Sequence, residues 1–169
     1  MVKLYWQIFY RGAERMEKRK VFDDLLVKIN QKAREIDDMD EFYREVVKIL
    51  ADNVPYYNWT GFYFMKDGEL VIGPYIGRPT EHVRIKVGQG VCGRAVAEKN
   101  TIIVDDVTKE DNYLACSLET KSEIVVPIWV HGEIIGEIDI DSDDLRAFDE
   151  EDKRFLEKVA EIIGRKLKK

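Results

Sequence analysis

The sequence predicts a single α+β domain in which a central antiparallel β-sheet has helices on one face and a loop-built ligand pocket on the other. Apolar residues follow helical spacing at both ends of the chain, and they alternate with a period of two in the middle. Turn-forming residues separate neighbouring strands, which is typical of hairpins. A length of 169 residues with 45% hydrophobic content is enough for one core.

Three longer helices are predicted outside the sheet. Residues 21–36 carry an apolar stripe, and residues 40–53 carry a second one behind Asp40 as a candidate N-cap. The third helix follows Asp149, another candidate N-cap, and ends near Leu167. Helices at the two ends of the chain favour packing together on one face of the sheet.

Residues 1–20 are interpreted as an N-terminal extension whose order the sequence does not define, and residues 21–169 as a single domain. The basic run at residues 15–20 is interpreted as a solvated helix face.

The strands are predicted from alternation and turn chemistry. They cover residues 58–65, 69–75, 84–87, 101–104, 122–130 and 133–141. The first two flank Lys66-Asp67-Gly68 and the last two flank His131-Gly132, so each pair forms a hairpin. Residues 91–98 form a short helix between the two middle strands.

The last strand gathers carboxylates on one face. Alternation assigns Ile134 and the later even-numbered isoleucines to the helix side, and Ile135, Asp139 and Asp141 to the opposite side. Glu123 alternates in the same way across the hairpin. Crowded carboxylates raise one another's pKa, so one of them could act as an acid near neutral pH. An exposed acidic face explains the same pattern, and the spacing does not decide between the two.

Both cysteines of the chain lie in the segment 88–127. Cys92 falls in the first turn of a helix, where amide groups and the helix dipole favour a thiolate, although a small buried hydrophobic residue is an equal alternative. Cys116 lies in a polar loop that we expect to be accessible. An accessible thiol is the stronger candidate nucleophile.

Several other functions are disfavoured. A net charge of −6 argues against nucleic acid, and no apolar run reaches the about 18 residues that a membrane span needs. His82 and His131 lack metal-ligand spacing, so no metal is predicted. The glycines of residues 88–93 match a dinucleotide fingerprint but lie among hairpins, so no cofactor is predicted. Without a signal peptide, the expected compartment is the cytoplasm, where a structural disulfide is not expected and a cysteine pair is more often redox-active or metal-binding.

Six short motifs occur in order along the chain. They are NWTGFY at 58–63, GPYIGRP at 73–79, GVCG at 90–93, ACS at 115–117, SEIVVP at 122–127 and IDIDS at 138–142. Together they resemble the free methionine-(R)-sulfoxide reductases, which are built on a GAF domain. The resemblance covers roughly residues 40–167, and six motifs in register are far more specific than any one of them.

The resemblance implies reduction of free L-methionine-(R)-sulfoxide to methionine, with thioredoxin as electron donor. Cys116 would attack the sulfoxide sulfur and become a sulfenic acid, and Cys92 would resolve it by forming a disulfide. Most members carry a third cysteine after a Gly-Lys-Pro stretch, but residues 77–84 contain none. Cys92 must then resolve Cys116 directly, or a small thiol must do so.

The same resemblance implies roles for five other residues. Glu123, Asp139 and Asp141 would hold the substrate and protonate its departing oxygen, and Trp59 and Tyr63 would wall the pocket around the S-methyl group. GAF analogy also predicts a homodimer formed through the terminal helices. Two alternatives remain: a non-catalytic GAF sensor or redox switch that binds a small molecule, and a purely structural dimerisation module.

Overall fold

The computed structural model describes residues 2–111, 113, 114 and 117–168, with side chains from residue 15 onward. Within these ranges six strands form one antiparallel sheet in the order β3-β2-β1-β6-β5-β4. The strands are β1 Trp59–Lys66, β2 Glu69–Ile76, β3 Arg84–Lys86, β4 Ile102–Val104, β5 Ser122–Val130 and β6 Glu133–Ser142. The helices are α1 Val2–Glu35, α2 Met39–Asn53, α3 Gly90–Glu98 and α4 Glu150–Leu167. The predicted α+β architecture is confirmed.

The main core lies between the sheet and three helices. Helix α4 packs on β5, α2 packs on β1 and β2, and α1 contacts α2 and α4. Their apolar stripes meet the helix-facing residues of β1, β5 and β6, and burial of each large side chain contributes about 1.5–3 kcal/mol. Representative members are Ile29, Phe42, Val46, Leu50, Phe62, Ile124, Ile138, Ile140, Leu156 and Val159.

A second, smaller core covers the opposite face of the sheet. Helix α3 packs there against β3, β5 and β6. Its members are Trp59, Tyr63, Leu70, Ile85, Val91, Cys92, Ala95, Ile102, Val104, Val107 and Val125. This face therefore contains both candidate wall aromatics and one of the two cysteines.

The helix N-caps differ in one detail from the prediction. Asp149 caps α4 by accepting hydrogen bonds from the backbone N–H groups of Glu151 and Asp152, as expected. Helix α2 is capped by Asp38, whose carboxylate accepts from Glu41 N at 2.8 Å. Asp40 is wrong as the cap because it already lies inside the first helical turn.

A β-bulge changes the start of β6. Ile128 pairs with Gly136, but Trp129 pairs with Ile134, so the register shifts by one residue. Ile135 consequently packs against the main core. The assignment of Ile134 to the helix side and Ile135 to the opposite side is wrong, because an extra residue reverses the alternation.

Helix α1 begins at Val2, so it includes most of the predicted extension. Arg15 and Arg19 bind Glu151 at 2.9 and 2.6 Å, and Lys18 binds the buried Asp152 at 2.5 Å. The interpretation of residues 15–20 as a purely solvated face is therefore wrong for these three. Among the described residues, no helix is both long and apolar enough to cross a membrane.

Candidate active site

Four carboxyl groups lie together on the face of the sheet opposite α2 and α4. Glu137, Asp139 and Asp141 follow one another at alternate positions of β6, and Glu123 of β5 pairs with Asp141. Their exposed fractions are between 0% and 4%. The alternative of an exposed acidic face is therefore wrong, because these side chains are buried on the face where α3 packs against β5 and β6.

Burial is the main influence on the acidity of this cluster. It raises the pKa of Glu123, Glu137 and Asp141 well above the ordinary range and that of Asp139 to about 7. Both oxygens of Glu137 and Asp139, and one of Asp141, have no hydrogen-bond donor among the described residues. Buried oxygens without partners are costly, so this arrangement suits a pocket completed by a ligand with positive charge or acidic protons.

Cys92 lies in the first turn of α3 and is 3% exposed. Its thiol is 3.9 Å from Oε1 of Glu123. Burial, followed by the charges of Asp139, Glu137 and Glu123, raises the pKa of the Cys92 thiol well above its ordinary value. The expectation that the helix N-terminus favours a thiolate is wrong here, because desolvation and neighbouring carboxyls outweigh a dipole effect of about 1 kcal/mol.

Cys92 also belongs to a group of metal-ligand type. Its sulfur and one oxygen each from Glu123 and Asp139 lie within 4.8 Å of one another. The same geometry suits an ammonium group held by carboxylates, so the spacing does not itself identify a metal centre. The absence of a metal remains a prediction.

The two candidate wall residues, Trp59 and Tyr63, lie beside the acidic cluster. Trp59 and Tyr63 are almost fully buried, with ring centroids 6.2 Å apart. Their polar atoms bind the loop after β2: Trp59 Nε1 donates to Arg78 O at 3.1 Å, and Tyr63 OH donates to His82 O at 2.8 Å. Both rings are thus held in one orientation while their faces remain apolar.

The lack of a side chain at Gly61 leaves room for the Trp59 ring. This glycine lies between the two aromatic residues on β1, and a Cβ there would be 2.6 Å from Tyr75 Cβ and 2.7 Å from the Trp59 ring. Across the ladder, Trp59 pairs with Asp141 and Tyr63 with Glu137. The register of β1 and β6 therefore places these two rings, the candidate aromatic wall, beside the carboxyl cluster. We call the four carboxyl residues of that cluster the acidic floor.

Cys116 lies outside the described residues, so its predicted position and accessibility remain predictions. Described residues on either side of it contact the candidate site residues. Leu114 belongs to the same apolar cluster as Trp59 and Cys92. Thr120 Oγ1 donates a hydrogen bond to Asp141 Oδ2 at 3.4 Å.

Sequence reasoning missed two residues near the pocket. Glu137 follows the alternation that identified Asp139 and Asp141, so the pattern already contained its signal. Arg78, whose guanidinium binds Asp143 and approaches Glu119, had no such signal, because its partners are distant in sequence.

Comparison with known proteins identifies the class and then the family. The family model described as GAF domain matches residues 38–167, so the chain is a GAF domain protein. It is 47% identical over 112 residues to the free methionine-R-sulfoxide reductase of Saccharomyces cerevisiae, a region that spans 64% of this chain and 62% of the yeast protein.

Two solved structures agree with that relationship. The free methionine-R-sulfoxide reductase of Neisseria meningitidis, in complex with its substrate, has a TM-score of 0.86 and 33% identity over 89% of this chain and 90% of its own. The reduced form of the Staphylococcus aureus enzyme has a TM-score of 0.82 and 38% identity over 86% and 94%, respectively. The chain belongs to the free methionine-(R)-sulfoxide reductase family, as its sequence motifs predict.

Proposed function

We propose that this protein reduces free L-methionine-(R)-sulfoxide to L-methionine. The observation that carries the proposal is a cluster of buried carboxyls beside Trp59 and Tyr63, in which Glu137 and Asp139 have no hydrogen-bond donor among the described residues. A free amino acid supplies an ammonium group for such carboxyls and a methyl sulfoxide for the aromatic wall. The yeast, Neisseria and Staphylococcus relatives carry the name of this activity, which supports the same assignment.

The raised pKa values suit both tasks that the carboxyls would perform. Asp139, with a pKa of about 7, is partly ionised near neutral pH and can bind the ammonium group. Burial raises the pKa of Glu123 and Asp141 well above the ordinary range, which favours their protonated forms, so either can donate a proton to the sulfoxide oxygen. One cluster would thus bind a cation and supply an acid.

In the first chemical step, the sulfur of Cys116 attacks the sulfoxide sulfur. The attack forms a sulfur–sulfur bond, a carboxylic acid of the cluster protonates the oxygen, and the sulfur–oxygen bond of the substrate breaks to release water. Attack of water on the Cys116 sulfur then breaks the sulfur–sulfur bond, which leaves a hydroxyl group on Cys116. Two electrons pass from the cysteine to the substrate, so the products are methionine and the sulfenic acid of Cys116.

In the second step, the thiol of Cys92 attacks that sulfenic acid. The Cys92–Cys116 disulfide forms and the hydroxyl group leaves as water. A dithiol donor then restores both thiols, and we propose thioredoxin for this role. The absence of a cysteine at residues 77–84 supports the direct route between the two cysteines that are present.

The remaining sequence predictions form part of the proposal. Residues 21–169 would constitute the functional domain, acting in the cytoplasm without a bound metal or cofactor. A homodimer would form through the terminal helices, which sedimentation at micromolar concentration tests directly.

A coupled assay with thioredoxin, thioredoxin reductase and NADPH tests the activity. We expect NADPH consumption with free methionine-(R)-sulfoxide, little with the S epimer, and none in Cys116→Ser. Full turnover in Cys116→Ser, or no turnover with any thiol donor, contradicts the proposal. Equilibrium binding of the sulfoxide without methionine formation would instead favour the non-catalytic sensor, and inert cysteines would favour the structural module.

Thiol counting separates the two chemical steps. The reduced protein has two thiols per chain, and one equivalent of substrate is expected to remove both. In Cys92→Ser, methionine should still form once per chain, and Cys116 should be trapped by a sulfenic acid reagent such as dimedone. Retention of both thiols after turnover in the wild type would rule out the direct disulfide.

A further inference from the structure

The guanidinium of Arg78 connects three loops beside the pocket. Its Nη1 and Nη2 bind the two carboxylate oxygens of Asp143 at 3.0 and 2.5 Å, and its Nε lies 3.7 Å from Glu119 Oε2. The three residues belong to loops 77–83, 117–121 and 143–149, which follow β2, precede β5 and follow β6. One side chain therefore joins segments that are otherwise separate in the chain.

The backbone of Arg78 is itself fixed against the aromatic wall. Its carbonyl oxygen accepts the hydrogen bond from Trp59 Nε1. A Cβ at the preceding Gly77 would lie 2.4 Å from Trp59 Cδ1, so the loop is in direct contact with the indole. The guanidinium thus extends from a point adjoining the proposed substrate pocket.

Its two partners also adjoin residues of the acidic floor. Glu119 precedes Thr120, which binds Asp141. Asp143 follows two residues after Asp141, and its backbone N–H donates to Asn58 Oδ1 at 2.8 Å. The ion pairs therefore connect the loop that contacts Trp59 with the two loops that adjoin Asp141.

These ion pairs are too exposed to act chiefly as a stabilising element. The side chains of Arg78, Asp143 and Glu119 are 41%, 31% and 58% exposed, and ion pairs at such positions contribute little to folding. Their two-pronged geometry is nevertheless specific, because the planar guanidinium matches both oxygens of Asp143, which a lysine ammonium cannot do. Such geometry suits holding loops in one arrangement.

We propose that Arg78 determines specificity by holding these three loops closed over the pocket, so that a free amino acid fits and a peptide-bound methionine sulfoxide does not. This inference rests on the proposed function. A substrate with chain extending from both its amino and carboxyl groups needs an exit, and the joined loops obstruct it. A free amino acid needs none, and closure around it also excludes water from the reaction.

Kinetic comparison of two substrates tests the proposal. The first is free methionine-(R)-sulfoxide and the second is its N-acetyl methylamide, which mimics a peptide. We expect Arg78→Ala and Asp143→Asn each to reduce the ratio of kcat/KM between these substrates by roughly tenfold or more. Arg84→Ala removes a similarly exposed arginine bound to Glu69 at 3.4 Å and should leave the ratio unchanged.

The double variant with Arg78→Ala and Asp143→Asn should resemble either single variant, since both remove the same contact. An unchanged ratio in Arg78→Ala, or an equal change in Arg84→Ala, overturns the proposal.

Amide hydrogen exchange gives a readout that does not depend on turnover. Arg78→Ala should increase exchange in loops 77–83 and 117–121, while Arg84→Ala should not. Unchanged exchange in Arg78→Ala overturns the closure. If the wild type turns over neither substrate but the exchange prediction holds, the proposed function fails and the loop closure stands.

Discussion

Replacing Asp139 by asparagine should stabilise the unliganded protein at alkaline pH, although it removes a proposed substrate contact. The Asp139 carboxyl is fully buried, and neither of its oxygens has a donor among the described residues. Burial raises its pKa from 3.8 to about 7. The folded protein therefore holds this proton more tightly than the unfolded chain does.

The direction of the pH dependence follows from that difference. Between pH 3.8 and about 7 the folded state binds more protons than the unfolded state, so the free energy of unfolding decreases as the pH rises. The destabilisation is absent below this window and complete above it. A ligand cation that neutralises the cluster would reverse it.

The magnitude is large for a domain of this size. The folded pKa lies about three pH units above the ordinary value, and each unit corresponds to about 1.4 kcal/mol, so ionised Asp139 lowers stability by up to about 4 kcal/mol. Domains are typically stable by only about 5–15 kcal/mol. Since the asparagine amide also lacks partners, we expect a net gain of about 2–4 kcal/mol at pH 8 and little or no gain at pH 4.

Urea unfolding of Asp139→Asn and wild type at both pH values measures this effect. Asp143→Asn provides a control of opposite sign, because the hydrogen bonds from Arg78 lower the pKa of the Asp143 carboxyl. That variant should lose a little stability at pH 8. If Asp139→Asn is no more stable than wild type at pH 8, or gains equally at both pH values, ionisation of a buried Asp139 does not destabilise the fold.

Two further substitutions test other parts of the structure. Glu137→Gln should lower the pKa of the Cys92 thiol, because it removes a neighbouring buried carboxyl; the pH midpoint of iodoacetamide modification measures this in protein whose other cysteine is serine. Glu133→Gln, at the exposed start of the same strand, should not move that midpoint, and a shift common to both variants would contradict the explanation. Lys18→Met should cost about 1–3 kcal/mol in urea unfolding at neutral pH, because the buried carboxylate of Asp152 loses its ammonium partner. A loss too small to measure would mean that this contact does not anchor α1.

The regular elements could be predicted because their signals are local. Helical spacing and strand alternation depend on residues a few positions apart, so the strands, the two hairpins and the N-cap at Asp149 follow from the sequence. Alternation likewise assigned Asp139 and Asp141 to the face opposite Ile138 and Ile140. The prediction failed at Ile134 and Ile135, since a bulge depends on how the facing strand pairs.

The motifs determined the family because six of them occur in a fixed order, and this needs no coordinates. They did not reveal Glu137 or Arg78, which lie outside the roles that the resemblance carries over. Glu137 was already on the correct face of its strand. Arg78 became visible only when the fold brought Asp143, 65 positions away, against its guanidinium.

The sequence by itself therefore determined the elements, the two faces of β6 and the family. Only the tertiary structure decided that the carboxyls are buried and that burial raises the pKa of the Cys92 thiol. The physical reason is that a pKa depends on solvent exclusion and on nearby charges, and both are supplied by segments distant in the chain. Helix α3 packs against β5 and β6 on the face that carries the acids, and these acids are buried there, which the alternating pattern alone did not determine.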